Sequence, residues 1–168
     1  MTCLVPADRL LPQIASWLGR DVLRPGDVAK RGSLTVHILP FLEQDDYDRL
    51  LWASDINFVR GEDSLVRAQW AARPFVWHIY PQQEGAHWPK LEAFLDLYCA
   101  DLPSQAAAGL RAFWQEWNQG GDAGKAWPGF WRHRAILEQH ARGWAASLAT
   151  QDDLASRLVN FCTSCFKN

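Results

Sequence analysis

Residues 34–80 read LTVHILPFLEQDDYDRLLWASDINFVRGEDSLVRAQWAARPFVWHIY and decide the fold. Three short apolar runs in this stretch predict buried strands, and two helical patterns separate them. The predicted strands are 34–39, 56–59 and 74–80, and the predicted helices between them are 45–53 and 62–72. Alternation of strands and helices is typical of a parallel sheet with right-handed crossovers. The predicted fold class is therefore α/β, with a Rossmann-like parallel sheet.

The sequence on both sides of this stretch has helical patterns. Residues 8–18 place apolar side chains on one helix face and are followed by a polar loop, so the chain is expected to begin on a helix. A helical C-terminal tail is predicted beyond Pro89, with helices at 89–99, 104–119, 128–148 and 151–165. Three parallel strands are few for such a sheet, and the chain starts without one. We therefore expect an earlier strand to be missing and the domain to be truncated at its N-terminus.

Length and charge exclude several classes of protein. A chain of 168 residues fits one domain, and a domain of this size buries roughly 70% of the surface that its unfolded chain exposes. The net charge of −2 creates no long-range field that would attract nucleic acid. No segment reaches the roughly 18 apolar residues that span a bilayer, and the N-terminus does not resemble a signal peptide. The sequence thus predicts a cytoplasmic location, with neither nucleic acid nor membrane as a partner.

The cysteines and tryptophans carry weaker signals. Cys162 and Cys165 form a C-x-x-C pair, but a zinc site usually needs a second pair or matching histidines, so reduced thiols are favoured and no metal is predicted. Ten tryptophans are many for a domain of this size. Most of them lie in predicted helices, where large amphipathic rings commonly anchor a core or an interface.

Ligands of open parallel sheets bind outside the carboxyl ends of the strands, where loops lead into helices. The loop after the second predicted strand, Arg60–Ser64, reads RGEDS and opens an amphipathic helix. Gly61 allows the backbone to approach a ligand, free N–H groups of the helix point outward, and Arg60 supplies a forked positive charge. Ser64 adds a hydroxyl donor. These features indicate a diphosphate-binding site, whereas the fingerprints of dinucleotide dehydrogenases and P-loop NTPases are absent from the sequence.

The acidic residues of this loop have a second interpretation. Glu62 and Asp63 stand in the first turn of the predicted helix, where each carboxylate commonly contributes about 0.3–1 kcal/mol against the helix dipole. Two carboxylates also repel a diphosphate. In a functional interpretation they must face sugar hydroxyls or hold Arg60 in place, and the sequence pattern leaves both interpretations open.

A second cluster follows the first predicted strand. Phe41, Gln44 and Tyr47 offer an aromatic face and an amide that could stack on a base and hydrogen-bond with it, although Phe41 could equally be a packing residue. Asp46-Tyr47-Asp48 has the D-x-D form of some metal-dependent glycosyltransferases, but here it lies in an expected helix start. His37 and His78 lie inside predicted strands and are interpreted as core residues.

The stretch PFLEQDDYDRLLWASDINFVRGEDSLVRAQWAARPFVWHIYPQ, residues 40–82, resembles the C-terminal domain of the EarP family, the arginine rhamnosyltransferases of elongation factor P. The RGEDS segment within a D-x-N-F-V-R-G-E-D-S-x-V-R-A-Q-W frame is its most specific part. The resemblance implies the C-terminal half of a two-domain GT-B glycosyltransferase. It also implies an inverting, metal-independent transfer from the donor substrate dTDP-β-L-rhamnose, without a cofactor, to elongation factor P as the protein partner.

The resemblance assigns roles to individual residues. Phe41 and Gln44 match contacts near the thymine and ribose, and Tyr47 stands where an aromatic residue borders the base. The diphosphate contacts are matched by Arg60, Asp63 and Ser64, next to Gly61, and Glu62 matches an acidic residue that activity requires. We therefore predict that Glu62 is catalytic and that the others bind the nucleotide sugar.

The family places its aspartate general base in the N-terminal, acceptor-binding domain, and that domain is expected to be absent from residues 1–168. The resemblance therefore predicts a chain that binds the donor without turning it over. Two other hypotheses compete with it. A non-catalytic nucleotide-binding module would bind several nucleotides without preferring thymine. A tryptophan-rich protein-interaction domain would bind none.

Overall fold

The computed structural model describes residues 1–165. The chain divides into two compact units, Met1–Leu50 and Leu51–Asn168. A three-stranded sheet lies in the first unit and a two-stranded sheet in the second.

The first unit is a mixed sheet with a short helix packed against it. Its strands have the order β1-β3-β2, with β1 parallel and β2 antiparallel to the central β3. The elements are β1 (Thr2–Pro6), α1 (Leu11–Trp17), β2 (Val28–Arg31) and β3 (Leu34–Leu39), and α2 (Gln44–Ala53) begins here and ends in the second unit.

Alternation along β3 creates the small core of this unit. Val36 and Ile38 are buried on one face of the strand and pack with Ala15 of α1 and with Leu23. Residues of the same face are two positions apart because successive side chains of a strand point to opposite faces. The turn from β2 to β3 contains Gly32 at φ +58°, a conformation that glycine adopts without a steric cost.

The start of the chain differs from the sequence prediction. The chain begins with the strand β1, so the prediction of a helix at its start was wrong, and the expectation of a missing strand loses that support. The polar loop predicted after the first helix contains β2. Both strands lack the signal of a buried strand: β1 has no fully buried residue, and β2 buries only Ala29.

The second unit consists of a parallel pair of strands and a set of helices. In register, Asn57 of one strand pairs with Phe75 of the other, and Arg60 pairs with His78. The elements are β4 (Asn57–Arg60), α3 (Glu62–Trp70), β5 (Phe75–His78), a 3₁₀ turn (Gln83–Gly85), α4 (His87–Tyr98), α5 (Ser104–Gln119), α6 (Ala123–Arg132), α7 (Arg134–Ala149) and α8 (Leu154–Cys165).

The α/β class is confirmed, but the arrangement of the strands and one helix differ from the prediction. All three predicted strands form, yet the first belongs to the sheet of β1 to β3, whereas β4 and β5 form a separate sheet in the described part of the chain. The helix predicted at 128–148 is two helices that meet at His133, and the first of them begins at Ala123, upstream of Pro128. Within residues 1–165, no helix is both long and apolar enough to cross a membrane.

Tryptophan side chains build much of the core of the second unit. Trp114 of α5 is fully buried and contacts the rings of Phe75 and Phe94, with centroid distances of 5.5 and 5.9 Å. The ring of Tyr98 adds a further contact to Phe75 at 5.1 Å. These aromatic pairs each add about 0.5–1.5 kcal/mol beyond the burial of their area. By contrast, Trp52 and Trp70 are about half exposed.

Side chains of α5 occupy the outer edge of β5. The Trp114 indole N–H donates to the carbonyl of Phe75 at 3.2 Å, and the Asn118 side chain bonds the backbone further along at Trp77 and Ile79. The carbonyls of Pro74 and His78 instead accept hydrogen bonds from the backbone of Asn57 and Gly61. Both edges of this strand are thus hydrogen-bonded, as buried backbone groups require.

The crossing of α5 and α6 gives a prediction for stability. A Cβ atom on Gly109 would lie 2.8 Å from the carbonyl oxygen of Gly129, so Gly109→Ala should force the two helix backbones apart and destabilise the chain by about 1–3 kcal/mol. Gly143→Ala is the control, because that exposed position in α7 has open space. It should stabilise by about 0.5–1 kcal/mol through helix propensity. Urea unfolding measures the stability of both variants. Equal midpoints for Gly109→Ala and Gly143→Ala would contradict the close crossing of α5 and α6.

Candidate functional site

The turn from β4 into α3 is made by a single residue, Gly61. Its φ of +80° and ψ of 172° lie in a region that is essentially restricted to glycine. The Gly61 N–H donates to the carbonyl of His78 at 3.3 Å, and the Gly61 carbonyl accepts from the Trp77 indole at 3.0 Å and from the Leu65 N–H at 3.2 Å. The backbone of this turn is therefore fixed from both sides, and the start of α3 is fixed with it.

Arg60 and Tyr80 lie together at the carboxyl ends of β4 and β5. The Arg60 guanidinium carbon is 5.0 Å from the centroid of the Tyr80 ring, which is a cation–π contact. The same ring lies against Gly61, where a Cβ atom would come within 2.7 Å of it. Both side chains are exposed, so an exposed positive charge stands at the amino end of α3. Backbone N–H groups and the helix dipole also favour an anion there.

Tyr80 is the residue that the sequence analysis did not assign. Tyr80 is the last residue of the third predicted strand, and the parallel pairing of Arg60 with His78 puts it only two residues beyond the partner of Arg60. The register of the two strands was the missing information. An aromatic residue directly before Pro81, at the end of a predicted strand, was the available signal.

The remaining residues of the RGEDS loop form the first turn of α3. Glu62 and Asp63 are exposed and Ser64 is half-buried. The Asp63 carboxylate accepts from the Arg67 Nε at 2.9 Å, one helical turn further on. Glu62 makes no hydrogen bond or ion pair within residues 1–165, so its carboxylate is available to another group. The structure thus brings residues 60–64 and Tyr80 together on one surface.

The predicted base contacts belong to the first unit. Phe41 follows β3 and is 79% exposed, which does not support its interpretation as a packing residue. Gln44 is the exposed first residue of α2, and Tyr47, one turn later, is half-buried. Asp46 of the D-x-D triplet forms an ion pair with Arg49 at 2.8 Å on the same helix, as expected for a helix start. No group of three or more potential metal ligands occurs within residues 1–165.

His78 lies behind the site as a half-buried residue of β5. Burial lowers the pKa of His78, and the nearby charge of Arg60 lowers it further. The ring is therefore neutral near pH 7 and adds no second positive charge beside Arg60. Its Nδ1 atom is buried and has no hydrogen-bond partner in the described part of the chain.

One cleft of the second unit lies at the other end of its sheet. A cavity of about 290 Å³ is lined by Asp55, Ile56, Pro74, Trp131, Arg134, Ala135 and Glu138. Asp55 and Pro74 precede β4 and β5, so this cavity lies at the amino ends of the strands, away from Arg60 and Tyr80. Ligands of parallel sheets bind at the carboxyl ends, and we therefore place the candidate site on the open surface around Arg60.

Comparison with solved structures defines the class of the fold. The chain matches a structure described as "Structural basis for EarP-mediated arginine glycosylation of translation elongation factor EF-P" with 48% identity and a TM-score of 0.86. The match covers 97% of this chain and 52% of that chain. The fold is therefore that of the C-terminal half of a GT-B glycosyltransferase.

Sequence comparison then identifies the family. The family model described as "Elongation-Factor P (EF-P) rhamnosyltransferase EarP" matches residues 1–163, and the chain belongs to this family. Relatives named protein-arginine rhamnosyltransferase from Pseudomonas putida and Pseudomonas aeruginosa are each 54% identical over 158 residues, which is 94% of this chain and 42% of each relative. The chain thus spans less than half the length of these curated relatives.

The geometry of Gly61 gives a prediction for stability. Gly61→Ala should destabilise the chain by about 1–3 kcal/mol, because alanine is strained at these backbone angles and its methyl group would overlap the Tyr80 ring. Gly120→Ala is the control, since Gly120 ends α5 at a positive φ with open space around it. It should cost only about 1 kcal/mol. Thermal unfolding of both variants measures the difference, and an equal loss would show that Tyr80 does not restrict Gly61.

Proposed function

We propose that this chain is the donor-binding part of a protein-arginine rhamnosyltransferase, and that the surface around Arg60 binds the diphosphate of dTDP-β-L-rhamnose. The observation that supports it most directly is the position of Arg60 at the amino end of α3, with its guanidinium over Tyr80 and next to the glycine turn. Membership of the EarP family supports the identity of donor and acceptor.

The proposed binding of the diphosphate uses three kinds of group. The Arg60 guanidinium donates charge-assisted hydrogen bonds, the backbone N–H groups after Gly61 donate along the helix axis, and the Ser64 hydroxyl adds one more donor. Asp63 is already paired with Arg67, so its negative charge is partly compensated. Ring contact with Tyr80 limits the conformations of the Arg60 side chain and so reduces the entropy that is lost on binding.

In the first unit, the proposal assigns the nucleoside to residues that follow β3. Phe41 offers an exposed ring that can stack on thymine, Gln44 offers an amide for hydrogen bonds, and Tyr47 borders the base. These assignments rest on the resemblance of residues 40–82 to the family. The proposal includes no metal, because Arg60 and the helix terminus compensate the charge of the diphosphate.

In the proposed reaction, a nitrogen of the acceptor arginine attacks the anomeric carbon of rhamnose. A new C–N bond forms as the bond between that carbon and the diphosphate oxygen breaks, with inversion, and the arginine nitrogen loses a proton. A guanidinium is a poor nucleophile because it stays protonated at neutral pH, so a base must take the proton or orient the group. The proposal assigns this base to a part of the longer relatives that the chain does not span, while Arg60 and the α3 terminus stabilise the departing dTDP.

Glu62 is the proposed catalytic residue of this chain. Its exposed carboxylate stands at the amino end of α3 without a partner within residues 1–165, beside the proposed diphosphate position. A carboxylate there repels the diphosphate, and the role proposed for it is therefore toward the sugar or the acceptor guanidinium. The proposed acceptor is elongation factor P, which implies a cytoplasmic location, since translation takes place there.

Removal of the Arg60 charge tests the diphosphate site. Arg60→Ala should weaken dTDP binding by about 1.5–3 kcal/mol, the usual value of a charge-assisted contact. Arg134→Ala removes the same charge at the opposite end of the sheet and should leave the affinity unchanged. Calorimetry in EDTA and again in Mg²⁺ measures both variants.

Four outcomes of calorimetry with dTDP and UDP would change the assignment. Equal dTDP affinity of the unaltered chain and of Arg60→Ala would overturn the diphosphate site. Binding that requires Mg²⁺ would transfer the role to the D-x-D triplet of Asp46 and Asp48. Equal affinity for dTDP and UDP would favour a non-catalytic nucleotide-binding module, and no binding of any nucleotide would favour a protein-interaction domain.

Substitution of Glu62 separates binding from chemistry. In a chimera that joins this chain to the N-terminal part of the Pseudomonas putida relative, Glu62→Gln should keep dTDP affinity within a few-fold and lower rhamnose transfer by roughly 10²-fold or more. Transfer to elongation factor P is followed by the mass of the acceptor. If Glu62 only caps α3, transfer should instead stay normal while the melting temperature falls.

A further inference from the structure

We propose that Asn118 is a positioning residue for the candidate diphosphate site, because its side chain holds the segment of β5 that brings Tyr80 and Trp77 to the Arg60–Gly61 turn. This inference rests on the proposed function in so far as the ligand is dTDP. Asn118 is on α5, contacts neither Arg60 nor Gly61 in the described hydrogen bonds, and was not assigned a role from the sequence.

The carboxamide of Asn118 makes three hydrogen bonds to the backbone. Its Oδ1 accepts from the Ile79 N–H at 2.9 Å, and its Nδ2 donates to the carbonyl of Trp77 at 2.9 Å and to the carbonyl of Trp114 at 2.9 Å. A donor and an acceptor on one side chain thus pair with two backbone groups of the same strand edge, as a neighbouring strand would. The third bond, to its own helix one turn earlier, fixes the orientation of the amide.

Both backbone groups lead directly to the site. The N–H that Asn118 binds belongs to Ile79, whose successor is Tyr80, and the Tyr80 ring contacts Gly61 and lies over the Arg60 guanidinium. The carbonyl that it binds belongs to Trp77, whose indole donates to the Gly61 carbonyl. One side chain therefore fixes the two residues that hold the turn from two directions.

The pairing requires an amide. An aspartate at position 118 has the same shape, but its carboxylate would place an oxygen against the Trp77 carbonyl oxygen at the position of the 2.9 Å hydrogen bond. When protonated, the same carboxyl group can again donate to Trp77 and accept from Ile79. In the Asn118→Asp variant, the pair of hydrogen bonds to Trp77 and Ile79 is therefore broken when the carboxyl group is ionised and restored when it is protonated. The volume of the side chain stays the same.

The first test compares Asn118→Ala with a matched control on the same helix. Gln115→Ala removes a hydrogen bond of 3.0 Å to Glu92, which leads to α4 and not to β5. We expect Asn118→Ala to weaken dTDP binding by about 10-fold, the scale on which supporting contacts act on a site, and Gln115→Ala to stay within about 2-fold of the unaltered chain. Equal affinities of Asn118→Ala and the unaltered chain would overturn the inference.

The second test uses the pH dependence of dTDP binding. A merely structural role of Asn118 would not produce such a dependence. The ratio of dTDP affinity between the unaltered chain and Asn118→Asp is measured from pH 4 to 8. Protonation of the nucleotide itself affects both proteins equally and cancels in this ratio. We expect a ratio of about 10 near pH 8 that falls toward 1 as the introduced carboxyl group becomes protonated. A ratio that does not change with pH overturns the inference, even if Asn118→Ala fails to fold.

The third test needs no ligand and separates this inference from the proposed function. Amide hydrogen exchange at Ile79 and the NMR signal of the Trp77 indole N–H are recorded for the chain without nucleotide. Asn118→Ala should speed exchange at Ile79 and shift the Trp77 signal, whereas Gln115→Ala should change neither, and no effect of Asn118→Ala overturns the positioning. Absence of dTDP binding by the unaltered chain overturns the proposed function, and with it the ligand role of Asn118, whatever the exchange data show.

Discussion

The backbone conformation of Gly61 is the constraint on which the candidate site depends. A φ of +80° with a ψ of 172° turns the chain from β4 into α3 within one residue, and only glycine takes that conformation without strain. Because the turn is so short, the side chain of Arg60 and the free N–H groups of α3 are close to one another. Trp77 and His78 then satisfy the carbonyl and the N–H of Gly61, so that the turn is part of the packed structure.

Charge at this surface is balanced over short distances. Arg60 stands beside Glu62 and Asp63, and Asp63 pairs with Arg67, so the loop and the first two turns of α3 carry two charges of each sign. Such an arrangement produces little field beyond a Debye length of about 8–10 Å. Attraction of a diphosphate would therefore come from directed hydrogen bonds at contact distance, and the position of the Arg60 guanidinium matters more than the number of basic residues.

Much of the fold could be predicted from the sequence, because buried strands and amphipathic helices have strong patterns. The predicted bounds of β3 and α5 agree with the structure, whereas β1 and β2 escaped prediction because they bury too few side chains to show an alternation. The RGEDS loop was predictable since its residues are adjacent in the chain. Tyr80 and Asn118 were not, because their relation to Gly61 depends on the register of β4 with β5 and on the packing of α5.

The openness of the surface around Arg60 separates binding from catalysis. Arg60 and Tyr80 are exposed, and water at such a surface competes for each hydrogen bond and weakens each charge interaction. Stabilisation of a leaving diphosphate acts strongly only where water is excluded. The tight packing behind the site, from Gly61 through Trp77 to Asn118, fixes its geometry but cannot exclude water from its front. The proposed rhamnose transfer would therefore require a covering surface that closes over Arg60, whereas the proposed recognition of dTDP would require only the geometry that the packed side supplies.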